Sequence, residues 1–296
     1  MPEGRVVVSG ASGLIGRALT ESLAADGVEV VRLVRRAPTG PGEVRWEPGR
    51  DRLDPAVLAG ARAVVNLNGA SIGRFPWTAR YRRELVWSRI HPTQTLARAL
   101  RELGEDAPHF VSSSAVGYYP PDGAGRTFDE TGARGDAFLS DLCGEWESAA
   151  VAAGGDVALL RTAPVVHRDG VLKPLIALTK LGVSGPIARG TQVWPYISLD
   201  DEIAAIRHVI DHRLTGPVNL SGPTRATAND LGFALARRLG RPYLLRAPAF
   251  ALRLALGKDA VEALLTVDTH VVPAALTSSG FAFRHPTVED AVAAAV

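Results

Sequence analysis

Arg5-Val6-Val7-Val8-Ser9-Gly10-Ala11-Ser12-Gly13-Leu14-Ile15-Gly16 opens the first structural unit of a 296-residue chain. The β-branched run Arg5 to Ser9 suits a strand buried on both faces. A glycine-rich turn follows, and beyond it Leu14, Ala18 with Leu19, and Leu23 recur at helical spacing. Gly27 stops that helix and Val28 to Val34 supplies a second strand. Strand, turn, helix and strand within about thirty residues make a βαβ unit, which favours a parallel sheet.

The pattern repeats outward. Ala61 to Leu67 is a third apolar run, and Ala79 to Leu103 is a long amphipathic stretch. His109 to Ser113 reads as a strand, Ala137 to Ala153 as a helix, and Val157 to Arg161 as another buried strand. After residue 162 prolines and glycines crowd in (Pro164, Gly170, Pro174, Gly182, Gly185, Pro186, Gly190) and strands become hard to place. Helix signals return at Asp200 to His212, Ala228 to Leu239 and Ala247 to Leu256. This texture predicts an α/β sheet domain over 1–162 and a smaller, mixed domain capping it over 163–296, with 200–221 returning to the first. No internal repeat or low-complexity segment is visible.

Composition narrows the function classes. With 46% apolar and 22% charged residues the chain reads as globular. A formal charge of +2, from 33 basic against 31 acidic residues, argues against nucleic acid or a polybasic membrane anchor as partner. The single cysteine, Cys143, excludes an intrachain disulfide framework. The run Val6-Val7-Val8 is too short for an export signal, and Ala247 to Leu256 is too short for a membrane span, so a cytoplasmic location is expected.

The chemistry starts at Gly10-x-x-Gly13-x-x-Gly16. Gly10 permits the tight turn, Gly13 lets backbone approach a pyrophosphate, and Gly16 allows close helix–strand packing. The helix start at Ser12, Leu14 and Ile15 offers free N–H groups and a positive dipole end to phosphate. At the end of the second strand an NAD site usually carries an acid for the ribose hydroxyls, whereas this chain has Val34-Arg35-Arg36. A guanidinium forks onto a 2′-phosphate, so NADP(H) is the expected cofactor.

The chain resembles the short-chain dehydrogenase/reductase superfamily, and more closely its atypical, epimerase-like branch. The likeness is carried by Val8 to Gly16, Asn66-Leu-Asn-Gly-Ala-Ser-Ile-Gly73, Arg82-Arg-Glu-Leu-Val-Trp-Ser-Arg89 and Ser113-Ser-Ala-Val-Gly-Tyr-Tyr119. Glu145-Trp-Glu147, Leu160-Arg-Thr162, Gly185 to Gly190, Pro195 to Asp201, Asn219, Ala247 to Arg253 and Gly280 to Arg284 extend it across the chain. The resemblance implies an α/β Rossmann fold, a doubly wound parallel sheet with a smaller mixed C-terminal domain closing over the nicotinamide end. It implies Val34 and Arg35 at the adenosine phosphate, Leu67 and Asn68 beneath the adenine, and Glu84 and Arg89 along the groove. Ser112 and Ser113 would approach the nicotinamide ribose, and Pro164 and Val165 the nicotinamide.

One departure matters. The superfamily's Tyr-x-x-x-Lys pair would align here with Phe138 and Leu142, and the three lysines, Lys173, Lys180 and Lys258, all lie past residue 172. Ser113, Tyr118 and Tyr119 are the substitute candidates for handling the proton. Cys143 reads as a buried thiol, and Lys173 as a solvated side chain or a contact at the domain junction. His208 and His212 are four apart but lie opposite the stripe Ile203, Ile206 and Ile210, so no metal site is expected. Asp200 and Asp201 look like a helix cap, and Trp77, Trp87 and Trp194 like core or cavity walls. An enzyme acting on a small carbonyl or alcohol is the leading expectation, and a non-catalytic NADP(H) sensor the alternative. The helix Ala79 to Leu103 offers a surface for a homodimer.

Overall fold

The computed structural model describes residues 4–121 and 125–296. Strands β1 (Val6–Ser9), β2 (Val30–Val34), β3 (Glu43–Arg45), β4 (Ala63–Asn66) and β5 (His109–Ala115) come first, with helices α1 (Leu14–Ala25) and α2 (Ala79–Leu103) between them. β6 (Thr127–Phe128), α3 (Phe138–Val151), β7 (Val157–Thr162), β8 (Val165–Val166) and α4 (Leu172–Lys180) follow. Then come β9 (Ile197–Ser198), α5 (Leu199–Asp211), β10 (Gly216–Leu220) and α6 (Ala228–Arg238). The chain ends with α7 (Ala249–Leu256), α8 (Lys258–Leu264), β11 (His270–Val271), α9 (Ala274–Ser278) and α10 (Val288–Ala295).

Seven strands form one sheet in the order β10-β7-β5-β4-β1-β2-β3, and every neighbouring pair runs parallel. This is the expected doubly wound α/β sheet, and its chain order reverses next to β1. The sequence reading missed β3, a three-residue strand carrying Glu43 and Arg45 and too short for any periodicity to mark.

Alternation along the strands makes two cores. Val6, Val8, Ala63, Val65, Ala158 and Leu160 face α1 and α5, while Val7, Val64, Val157 and Leu159 face α2 and α3. A sheet buried on both faces explains the unbroken apolar runs in the sequence. β10 pairs with β7, and Ile203, Ala205 and Ile206 of α5 lie in the same core as Leu19 and Leu23 of α1. A third cluster joins α4, α6 and α10 through Leu172, Leu231, Leu235, Val288 and Val292. A fourth packs Ala260 of α8 against Trp77, and against Tyr81 and Leu85 of α2.

Two glycines are required by close approach. Gly10 has φ +79°, and a Cβ there would lie 2.5 Å from the Leu67 carbonyl oxygen. A Cβ on Gly16 would overlap the Gly10 carbonyl oxygen, so any side chain would push α1 off the turn. Gly16→Val is therefore expected to lower stability by about 2–3 kcal/mol, read as a fall in the urea midpoint, while Gly27→Ala, at a site with open space but φ +74°, costs less.

Candidate functional site

The glycine turn opens onto a cleft of about 790 Å³ lined by Gly10, Ser12, Gly13, Arg35, Leu67, Asn68 and Glu84, with Trp87 and His91 of α2. Seven sequence-predicted residues therefore share one concave surface. A Cβ on Gly13 would meet only the Gly10 carbonyl oxygen, at 3.4 Å. Gly13 is also the N-cap of α1 and has no side chain to cap it, leaving the first-turn N–H groups to whatever enters the cleft. An open backbone approach and an uncapped helix start suit a pyrophosphate. Leu14 and Ile15 begin the helix, and Gly16 lies buried beneath the turn.

The two arginines after β2 have different fates. Arg36 places its fork on Glu43 of β3, with N–O distances of 2.7 and 2.6 Å. The Arg36 hydrogen bonds, then the Thr39 N–H, hold the Glu43 carboxyl down to about 2. Arg36 is thus committed to the edge strand, and an acid does stand close to the pair, contrary to what the local sequence suggests. Arg35 lines the cleft, exposed, and makes no hydrogen bond or ion pair among the described residues. Val34, half-buried, ends β2 in register with Arg45 of β3.

A polar floor supports the cleft. Asn68 donates to Ser9 Oγ (2.7 Å) and Asn66 Oδ1 (2.9 Å), and Asn66 Nδ2 donates to Thr93 Oγ1 (2.8 Å) and Ser112 Oγ (3.2 Å). Trp146 Nε1 also donates to Thr93 Oγ1, at 2.9 Å. Ser112 is therefore a buried part of the floor. Arg89 does not line the cleft; it donates to the carbonyls of Leu85 and Ala70 and packs over Trp146, so it holds the Gly69-Ala70 wall in place. Burial moves its guanidinium down from the ordinary value. Glu47, Pro48, Arg50, Ser88 and His91 also line the cleft and were missed, although His91, stacked on Trp87 at i, i+4 on an amphipathic helix, was a legible signal.

Pro164 and Val165 leave the end of β7 toward α1: a Cβ on Gly170 would meet both the Val165 carbonyl (2.5 Å) and Leu14 (3.4 Å). The candidate proton-handling residues cluster at the end of β5. Ser113 is half-buried and makes no side-chain hydrogen bond among the described residues. Tyr118 is half-buried, its ring 3.6 Å from the Arg161 guanidinium carbon. Tyr119 is 2% exposed, stacked on Phe128, donates to Asn219 Oδ1 (2.7 Å) and accepts from Arg161 (2.9 Å). Burial pushes its phenol up, against the pull of Arg161. Tyr119 is thus locked in the interior, whereas Ser113 and Tyr118 keep partial exposure.

Arg161, 3% exposed, carries this region. Its Nε and Nη2 meet Glu147 of α3 at 2.8 and 2.9 Å, and Ser114 donates to the same carboxylate at 2.7 Å. In α3, Leu142 is buried in the Trp77 cluster and Phe138 packs edge-on to Trp77. Cys143 is enclosed, and burial pushes its thiol to about 12, so it is inert. Asp201 takes the Ser198 hydroxyl and the N–H groups of Arg284 and His285, tying the C-terminal segment to α5. His208 stacks on His212 and bonds Ser279. Trp77 donates to the Ile72 carbonyl, and Trp194 is buried, so Trp87 alone of the three singled-out tryptophans lines the described cleft. Lys173 is exposed on α4.

A parallel sheet with a glycine-rich turn at its switch point and an open cleft above defines a dinucleotide-binding α/β protein. The model of the NAD dependent epimerase/dehydratase family matches residues 6–220, and the chain belongs to that family, in the epimerase-like branch of the short-chain dehydrogenase/reductases. Residues 247–295 match a domain of unknown function, DUF1731. The chain is 38% identical over 292 residues to Epimerase family protein ML0860 of Mycobacterium leprae, covering 97% of this chain and 94% of that one. It is 31% identical over 289 residues to human Epimerase family protein SDR39U1, covering 95% and 96%. The crystal structure of human SDR39U1 (isoform2) with NADPH superposes with a TM-score of 0.89 at 29% identity, covering 98% of both chains. A nucleoside-diphosphate sugar epimerase from Corynebacterium glutamicum gives 0.78 at 30% identity, covering 99% of this chain and 58% of that one.

Two measurements check the interior. Glu147→Ala leaves the Arg161 charge buried without its partner and is expected to cost about 3–5 kcal/mol in denaturant unfolding. Glu202 of α5 is fully buried, accepts from Thr162 (2.9 Å), and is raised by burial to about 8 from its ordinary 4.5. The folded state then keeps a proton that the unfolded chain releases, so this contribution is full below pH 4.5 and is lost as pH rises toward 8. Glu202→Gln should gain stability relative to the parent as pH goes from 5.5 to 8; an unchanged difference in urea midpoint would count against the assignment.

Proposed function

We propose that the protein binds NADP(H) in the α1–α2 cleft and acts on a small carbonyl or alcohol held between the ends of β5 and β7 and the C-terminal segments. The observation that carries the cofactor choice is Arg35: exposed, in the cleft, without a partner among the described residues, while Arg36 is held by Glu43. Human SDR39U1, similar over nearly the whole chain, has been solved with NADPH, which supports the same reading. Gly13 and the uncapped start of α1 would hold the pyrophosphate, Arg35 the 2′-phosphate, and Leu67 and Asn68 the adenine side. Residues 163–296, with 200–221 set aside, would close over the substrate.

When bound, the nicotinamide supplies a hydride donor or acceptor at C4. The chain's own part is to orient the substrate and handle one proton. Tyr118 and Ser113 are the side chains we assign to that task, because both retain exposure and neither hydroxyl is hydrogen-bonded within the described residues. Arg161 holds the Tyr118 ring from below, and Tyr119 braces Arg161. A second reading, a sensor that binds NADP(H) without turnover, is favoured by the apolar Phe138 and Leu142 where relatives with a Tyr-x-x-x-Lys pair carry acid and ammonium.

Calorimetric titration tests the cofactor. Arg35→Ala should weaken NADPH binding roughly tenfold to a hundredfold, the loss of one charge-assisted phosphate contact, and leave NADH unchanged. Equal losses for both nucleotides would overturn the assignment. Loss of carbonyl-dependent NADPH oxidation in Tyr118→Phe, with cofactor affinity kept, selects the enzyme; absence of any turnover across a carbonyl panel selects the sensor.

A further inference from the structure

Whole-chain charge balance hides a regional imbalance. Residues 170–199 and 231–258 contain nine of the chain's 33 basic residues and none of its 31 acidic ones. They include all three lysines, Lys173, Lys180 and Lys258. The remainder of the chain is therefore net acidic. All nine basic side chains are exposed. Arg189 pairs with Asp268 and Arg253 with Glu262 from outside the two stretches. Lys180, Arg237, Arg241 and Arg246 form no ion pair among the described residues.

The same stretches hold eight of the ten large apolar side chains that stand exposed among the described residues: Leu178, Leu181, Val183, Phe233, Leu244, Leu245, Phe250 and Leu254. Leu254 is 90% exposed and Leu244 77%. The fold brings the stretches side by side. Leu244 and Leu245 donate their N–H groups to the Ser184 carbonyl (3.0 and 3.1 Å), and Ala247 donates to the Pro186 carbonyl (2.9 Å). Phe233 packs on Tyr243, with ring centroids 4.6 Å apart. Segment 242–247 is thus pinned by its backbone while Leu244, Leu245 and Arg246 all project outward in succession.

We infer that this face docks on an anionic lipid surface, with the leucines and phenylalanines entering the headgroup boundary and the arginines and lysines on the phosphates. Apolar tips interleaved with unpaired cations are the composition of an interfacial segment. Charge excludes a second copy as the occupant, because two such faces repel. An acidic protein would satisfy the charge, but exposed cations and apolar tips that alternate along 178–183 and 241–254 ask for a fluid surface more than a shaped partner. No described helix is long and apolar enough to cross a membrane, so the contact is peripheral.

The test is flotation of the full chain with phosphatidylglycerol-rich vesicles against pure phosphatidylcholine vesicles. Binding is expected to the first and not the second, and to weaken with added salt. Arg241→Glu/Arg246→Glu should lower partition by more than the roughly fivefold per basic residue expected for simple removal. Phe250→Ser/Leu254→Ser should also release the protein. Both variants keep their melting temperature and NADPH titration if the face is separate from the cleft. Failure to float with anionic vesicles overturns the inference. So does binding that survives both double variants, a stable dimer by sedimentation that buries Leu244 and Leu254, or retention on an immobilised acidic amphipathic peptide but not on vesicles.

Discussion

Arg161 and Glu147 are the constraint on which the C-terminal end of the sheet depends. A guanidinium that is 3% exposed must be paired in full or the fold loses several kcal/mol. This one is forked onto Glu147, bonded to Tyr119 and to the Glu130 carbonyl, and stacked beneath Tyr118. Ser114 of β5 shares the carboxylate, and Asn219 of β10 holds Tyr119. One charge pair therefore fixes three adjacent strands, α3 and the turn after β5. Ser113 and Tyr118 hang from that frame, so their positions are set by packing and not by a free loop.

The cleft is held by different physics. Ser9, Asn66, Asn68, Thr93 and Ser112 are neutral, and their hydrogen bonds run across the ends of β1, β4 and β5 to α2. A neutral floor leaves the field above it to the α1 N-terminus and Arg35, both favourable to phosphate. Arg89, partly buried behind the cleft wall, gives its donors to backbone carbonyls and so shapes the wall without competing for the ligand.

Much of the architecture was legible because parallel strands buried on both faces read as apolar runs, and Gly10, Gly13 and Gly16 each answer a separate steric demand. Asn68 and Glu84 were reached only through family resemblance; no periodicity marks them. β3 was invisible at three residues, and with it the Arg36–Glu43 pair, since the six residues 37–42 separate the partners. Tyr119 and Tyr118 look alike in sequence, yet one is enclosed by Phe128 and Asn219 while the other stays open. Only the long-range partners tell them apart. Net charge hides position in a similar way, because the sum over the chain averages an acidic body with two basic stretches.

The sheet's two open edges also bear on how the protein behaves when crowded. β3 offers three residues, and Glu43 there is gripped by Arg36 with Arg32 beside it. On β10, the outward N–H of Asn219 is taken by the Glu130 carboxylate, and two positions earlier Pro217 has no N–H to offer. A strand from another molecule would find charge at one edge and almost no donors at the other. Both edges disfavour an added strand, so a chain with exposed apolar side chains is guarded against polymerising through its backbone.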